Sequence, residues 1–365
     1  MGGGGLPKLF DWNPESGEAL PASSTFTRAS VAFYRNDSGL WVEAASGELR
    51  YHNDTAGGGS KGYLPEPAAT KLALFPRDFT NAAWVKVNGT AAKDATGIDG
   101  VANAASTLTA TSANFTALQS FTRASSAHTF SVFVARKTGT GTIEITVDGG
   151  STWVDITSSI STDIKDNPYI VTQTLANPSI GLRIITSGDE IEVDMGDLEA
   201  TAFATTPLDH TSSTVTRVAD TLNTGVATPA EHSGVFDVTV ADKAGSSGDN
   251  QTTYIAYGVT SDSLFVNTLD TLRYFISGGV DITFFAGSSY EGERHKFAFS
   301  SELNNHILVD DEGNSGTDTS GAVGTGDIHI GYRPGGSSRF ARAPMHNITI
   351  YSVTQTQEQL EDLVS

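Results

Sequence analysis

The stretch Asp194–Leu222 reads DMGDLEATAFATTPLDHTSSTVTRVADTL, and the β-sheet sequence on both sides of it is built to a different plan from the stretch itself. Alternating apolar residues end near Leu198, an irregular crossing contains Pro207, and alternation resumes at Val215. This pattern predicts a closing strand, a boundary at Pro207 and an opening strand: a seam between two β-sandwiches. Met195 and Leu198 should be buried in the first sandwich, and Val215 and Val218 should belong to the second.

On the N-terminal side of the seam, residues 71–206 carry the period of two that half-buried strands require. Phe130, Val132 and Val134 alternate with Thr129, Ser131 and Phe133. Ile143, Ile145 and Val147 lead into Asp148-Gly149-Gly150, and Val154 and Ile156 return, which predicts a hairpin. Leu182 and Ile184, the turn Ser187-Gly188-Asp189, then Ile191, Val193 and Met195 predict a second hairpin whose last strand reaches the seam. Short strands punctuated by turns at this spacing read as a jelly roll.

Residues 207–365 continue in the same style. Phe236/Val238/Val240, Ile255/Tyr257/Val259, Leu272/Tyr274/Ile276, Ile282/Phe284, Phe297/Phe299, Ile328/Ile330/Tyr332 and Ile348/Ile350 each mark a half-buried strand. Only the terminal TQTQEQLEDLVS, with Leu360, Leu363 and Val364 at helical spacing, predicts a short helix.

Residues 1–70 read differently, as an extended N-terminal arm. Pro7 and Pro14 forbid a regular helix through the first apolar residues, and Asn36-Asp37-Ser38-Gly39 predicts a hairpin turn. Too few apolar residues remain for an independent core, so the segment should pack on a neighbour. One internal echo links it to the seam: Ser24-Thr25-Phe26-Thr27-Arg28 returns as Ser213-Thr214-Val215-Thr216-Arg217. Such strings recur by chance in a chain rich in Thr and Ser.

Composition agrees with an all-β fold of two tandem β-sandwich (jelly-roll) domains: 38 glycines and charged residues at only 18% suit many short strands joined by turns. The 365 residues suffice for two sizeable cores. Acidic residues outnumber basic ones 42 to 22, for a formal charge of -20, which opposes a phosphate-binding surface and excludes nucleic acid as the expected partner. The absence of cysteine removes disulfides, thiolate metal sites and thiol catalysis. No apolar run approaches the roughly 18 residues that span a bilayer, and MGGGGLPKLF lacks the basic-then-apolar order of a signal peptide, so neither membrane insertion nor Sec export is expected.

Two sets of strings carry a family resemblance. TFTRASVAFYRNDSGLWVEAASGELRY, GYLPEPAATKLALFPRDFTNAAWVKVN and the exit formed by Leu198–Ala200, Phe203–Thr205 and Thr214–Asp220 resemble an arrangement of tailed-phage virion proteins (tail or head fibres and spikes). In that arrangement the module corresponding to 71–206 resembles a carbohydrate-binding jelly roll. The strings GERHKFAFSSELNNHILVDDEG, DIHIGYR and HNITIYSVTQTQEQLEDL resemble the closing half of a concanavalin- or laminin-G-like lectin sandwich, here 207–365. The resemblance implies a protein of the virion, attached to other virion subunits through the N-terminal arm, homo-oligomeric, and presenting lectin-like domains to host-surface polysaccharide.

Candidate binding residues follow from the chemistry of sugars, which takes rings to stack on pyranose faces and polar groups to hold hydroxyls. The rings are Trp84, Trp153 and Tyr169 in the first sandwich and Tyr290 and Tyr332 in the second, with Trp153 favoured because it follows the turn Gly149-Gly150-Ser151. The alternative for each ring is packing in a core or a turn. Oxygen donors suggest calcium as a possible cofactor at Asp310, Asp311 and Asp318 in one Gly-rich loop, and at Asp94 and Asp99 in another; solvated acidic turns are the alternative. No H-E-x-x-H, G-x-S-x-G or phosphate-loop motif is present, so no enzyme is expected and no catalytic residue is named. His295, His306, His329 and His346 alternate with apolar strand residues and read as surface positions. The expected function is a non-enzymatic particle adhesin; a purely structural decoration protein and a polysaccharide depolymerase are the alternatives.

Overall fold

A computed structural model of the chain describes residues 6–55, 59–240, 252–258, 263–266, 271–276, 280–285, 292–334 and 339–365. It is all-β, with tandem β-sandwiches and a single short helix at the C-terminus among the described residues. None of these residues forms a helix long and apolar enough to cross a membrane.

The first sandwich faces two five-stranded antiparallel sheets against each other. One runs in the order Tyr169–Leu175, Ser126–Thr138, Glu190–Glu199, Ala105–Ala110, Gly89–Ala95, and the other Val154–Asp155, Ile143–Thr146, Ser179–Ile184, Phe115–Ser120, Val85–Val87. Phe130, Val132 and Val134 point into the core between the sheets with Ile143, Ile145, Leu182, Ile184, Ile191 and Val193, as their alternation requires. The hairpin around Asp148-Gly149-Gly150 forms, with Ile145 opposite Val154. The expected hairpin around Gly188 does not: Ser179–Ile184 and Glu190–Glu199 lie in opposite sheets, so the turn crosses the sandwich. Gly188, at φ 89°, takes the left-handed conformation that such a reversal needs.

The second sandwich has an eight-stranded and a seven-stranded sheet. Its strands include His232–Thr239, Arg294–Glu302, Asn305–Asp310 and Met345–Tyr351 in one sheet, and Thr221–Ala227, Asp327–Ile330, Thr252–Tyr257 and Thr271–Ile276 in the other. Phe236, Tyr254, Tyr274, Phe297, Phe299, Ile328 and Ile348 fill the space between them. Of the positions expected in these strands, Val259 and the side chain of Phe284 lie outside the described residues. The helix Gln357–Val364 begins at a capping box of Thr356 and Gln359 and lays Leu360 and Val364 on Ala298, Ile307 and Val309, the outer face of the larger sheet.

The N-terminal segment packs on both sandwiches, as its shortage of apolar residues requires. Lys8–Trp12 pairs with Met345–Tyr351, Tyr51–Asn53 and Lys61–Tyr63 extend the same sheet, and Thr25–Thr27 pairs with Thr221–Ala227 in the other. Trp12, fully buried, and Phe10 enter the second core, so the apolar residues that could not form a core alone complete that of the second sandwich. The hairpin Ala32–Arg35/Trp41–Ala44 turns through Gly39 as expected, and Phe33 and Trp41 pack on Ala95, Ala105, Phe133 and Ala135, the outer face of the first sandwich.

No sheet continues through Pro207: the strand Glu190–Glu199 ends, and the next, Val215–Arg217, pairs only with Ala69–Lys71. Met195 and Leu198 are buried in the first sandwich and its outer face. Val215 and Val218 depart from expectation. Val215 packs with the outer face of the first sandwich and Val218 is 41% exposed, because the second sandwich begins only at Thr221.

Candidate functional site

Three groups of buried charges organise the seam. Within Glu190–Glu199 a β-bulge places Ser131 opposite Asp197 but Phe133 opposite Asp194, with Met195 at φ 48°. The extra residue lets Asp194 and Asp197 both turn inward, where each is at most 3% exposed. Arg77 bonds Asp194 through Nε and Nη2 and Asp99 through Nη1 and Nη2, at 2.7–3.0 Å. Asp197 Oδ1 accepts from the N–H groups of Leu72, Ala73 and Leu198, and its Oδ2 lies 3.3 Å from His210 Nε2. Burial pushes the Asp197 carboxyl up to about 7, against the pull of Lys71 and the three N–H donors, and burial also lowers His210.

The second group ties Lys71 to Glu199 at 2.5 Å, with Thr205 donating to Glu199 through its N–H and hydroxyl. The third is the hub. Asp220 Oδ1 accepts from Arg28, and Oδ2 accepts from Arg50, Arg217 and the Glu66 N–H. Glu66 accepts from Arg50 at 2.6 Å and from the Thr206 N–H and hydroxyl. Burial alone would raise Glu66, yet Arg217 and Arg50 hold it well below the usual carboxylate range. Its members come from the N-terminal segment, the Pro65-Glu66-Pro67 turn and the seam, so the hub fastens both sandwiches to the segment that laces them. The echoed strings at Arg28 and Arg217 are thus two arms reaching one carboxylate.

Beside this hub lies a cleft of about 410 Å³. Phe133 and Trp41, both nearly buried, line it together with Ile170 and Thr172 on the edge strand of the first sandwich, Val240 and Pro344 from the second, and the seam residues Phe203 to Pro207. Phe203 is half-buried, with the Arg342 guanidinium 4.6 Å from its ring centre. His52 and Ser131 add hydrogen-bonding groups at 8% and 7% exposure. Sequence reasoning missed this site because its walls come from residues far apart in the chain.

The ring candidates do not converge. Trp84 is a core residue, stacked on Phe79 at 4.1 Å and donating its indole N–H to the Phe75 carbonyl. Trp153 is half-buried, with the Arg183 guanidinium 4.4 Å from its ring centre. Tyr169 is half-buried and its hydroxyl is committed to Ser159 and Ser161. Tyr332, at 9% exposure, bonds His329 and stacks on Phe340. Tyr290 lies outside the described residues.

The calcium candidates are likewise spent or dispersed. Asp310 accepts from the Glu312 and Asn314 N–H groups and the Asn314 amide; Asp311 bonds His295 and the Lys296 N–H; Asp318 accepts from Asp281 and Ser320. Asp99 is held by Arg77, and Asp94 stands exposed on an edge strand. No group of three or more His, Asp or Glu side chains among the described residues is placed to hold a metal ion, and these carboxylates shape turns and ion pairs. The four strand histidines are buried, not surface: His306 and His346 at 0%, His295 and His329 at 9%. One ring nitrogen of each bonds a side chain, in turn Ser301, Thr239, Asp311 and Tyr332.

No protein-family model and no curated protein matches the chain. Among solved structures it resembles Trypanosoma rangeli sialidase, at 11% identity over 37% of this chain and 22% of that one, with a TM-score of 0.29. It also resembles the Ruminococcus gnavus IT-sialidase CBM40 bound to alpha2,3 sialyllactose, at 9% identity over 38% and 83% with a TM-score of 0.28. The mouse laminin alpha1 chain, domains LG4-5, matches at 11% identity over 77% and 94% with a TM-score of 0.25. The chain thus spans less than a quarter of the sialidase it matches, and at these scores the likenesses carry no functional argument, which rests instead on the chain's own residues.

Proposed function

We propose that the chain is a non-enzymatic structural protein of a phage-type particle that binds host-surface glycans in the cleft between its sandwiches. The observation that carries this reading is the cleft itself, which joins the partly exposed ring of Phe203 and the apolar side chain of Ile170 to polar groups at His52 and Ser131. Rings and aliphatic faces beside a few fixed hydrogen-bonding groups suit a sugar, which has apolar C–H faces and hydroxyl edges. The sandwiches and the segment that laces them offer a rigid mount, and several copies in one particle would raise a weak single-site affinity through effective concentration. Because the described N-terminal strands are woven into the chain's own sheets, attachment to other virion subunits and assembly into a homo-oligomer would use outer edges of the molecule.

A second reading, a decoration protein that binds only other subunits, is favoured by Val85 and Val87. They stand 62% and 52% exposed on an edge strand, where another chain could pair. An array of bacterial surface glycans probed with the purified chain, multimerised on a scaffold, separates the two. Saturable binding that weakens in Phe203→Ala supports the first reading. Absence of binding across the array, with the Val85 edge protected in the assembled particle, supports the second.

A further inference from the structure

We infer that the cleft between the sandwiches takes a carboxylate-bearing sugar, such as a uronic acid, an inference that rests on the glycan-binding reading above. In a chain whose formal charge is -20, the hub beside the cleft holds more buried arginines than carboxylates. Four buried arginines, Arg28, Arg35, Arg50 and Arg217, gather there, and the carboxylates that contact them are Glu66 and Asp220. Arg35 makes no ion pair among the described residues. Its guanidinium donates to the carbonyls of Asp54 and Lys165 and to the Asn167 amide oxygen, while Asp54, Asp163 and Asp166 act on it only from farther away. That guanidinium lies 4.9 Å from the centre of the Trp41 ring, which lines the cleft. Charges elsewhere on the surface are screened within about 8 Å in physiological salt, whereas a buried cation one side chain behind the wall is screened far less.

The polar lining matches this field because it offers donors. The Arg35 N–H donates to His52 Nδ1 at 3.0 Å, which leaves the ring proton of neutral His52 on Nε2. No described residue accepts from that Nε2, and none bonds the Ser131 hydroxyl, although both side chains are more than nine-tenths buried and line the cleft. Glu66, the acid in the lining, is turned into the hub and its oxygens are occupied by Arg50 and Thr206. A carboxylate would accept from His52 Nε2–H and from the Ser131 hydroxyl within the positive field, with the sugar ring against Ile170 and Phe203.

The test measures binding of the full chain to uronic-acid-bearing bacterial oligosaccharides, each paired with a counterpart whose carboxyl has been reduced to the neutral alcohol. The expected result is at least tenfold weaker binding of the reduced member. Ile170 lies on the exposed rim and packs against the sugar, so Ile170→Glu should weaken both members, the acidic one several-fold more than the reduced one, with unchanged folding by circular dichroism. Equal binding of both members, or preference for the reduced one, overturns the carboxylate inference and leaves the glycan-binding reading standing. Failure of both members and of every neutral glycan to bind overturns the two together.

Discussion

Arg50 and Asp220 stand 170 residues apart in the sequence and 2.5 Å apart in the structure, both fully buried. The same carboxylate also takes Arg28 and Arg217, so a single Asp neutralises parts of three cations drawn from the N-terminal segment and the seam. Replacing it leaves Arg50 and Arg217 with Glu66 alone and Arg28 with no carboxylate among the described residues. Asp220→Asn should therefore cost about 3–5 kcal/mol, the usual penalty for removing one partner of a buried pair. Asp11→Asn, which breaks the exposed Lys8–Asp11 pair, should cost less than about 1 kcal/mol. Urea unfolding of both variants checks the contrast.

The rings predicted from sequence separate by burial. Trp84→Ala opens a cavity in the first core and should cost about 3–5 kcal/mol. Trp153→Ala removes a half-buried ring beneath Arg183 and should cost about 0.5–1 kcal/mol. Thermal denaturation ranks them; equal losses would contradict the assigned positions.

Asp197 gives the protein an alkaline liability. Its folded value of about 7 exceeds the ordinary 3.8, so the folded state holds a proton that the unfolded state releases. The contribution is full below pH 3.8 and is lost as pH rises through about 7. Between pH 6 and 8 the wild type should lose about 1 kcal/mol relative to Asp197→Asn, which cannot ionise and keeps the Oδ1 that Leu72, Ala73 and Leu198 bond. Lys71, Glu199, Asp209 and His210 surround the group, so both proteins are compared in one buffer series.

Acid acts through the histidines. Burial, then Arg35 and Arg50, push His52 down to about 3, and burial, then His306, push His232 down to about 4. Below pH 6.5 the unfolded chain takes up protons that the folded chain refuses, so stability falls as pH drops from 6.5 toward those values. His232→Gln should lose about 1–2 kcal/mol less than the wild type between pH 7 and 5, read from urea midpoints.

Much of the fold was legible because strand burial has a period of two: Phe130, Val132, Val134 and Phe236, Val238 point inward as their alternation demands. The terminal helix was legible for an equally local reason, the helical spacing of Leu360 and Val364. The hub was not, since Arg50, Glu66 and Asp220 look like solvated residues until long-range pairing buries them together. The N-terminal segment was legible in part: its shortage of apolar residues implied packing on a neighbour, but not that its strands would join the sheets of the second sandwich. The cleft was hidden because its polar members, His52 and Ser131, are 79 positions apart by number and meet only when the lacing segment docks on the first sandwich.

The most direct test of the account is the affinity of one array-selected glycan for the wild type, Ile170→Trp and Trp153→Ala. An indole at position 170 would crowd the mouth of the cleft, whereas Trp153 is not among the residues that line it. The account predicts at least tenfold weaker binding for Ile170→Trp and binding within twofold of the wild type for Trp153→Ala. Unchanged binding by Ile170→Trp with loss in Trp153→Ala would contradict it and move the site to the outer sheet around Arg183.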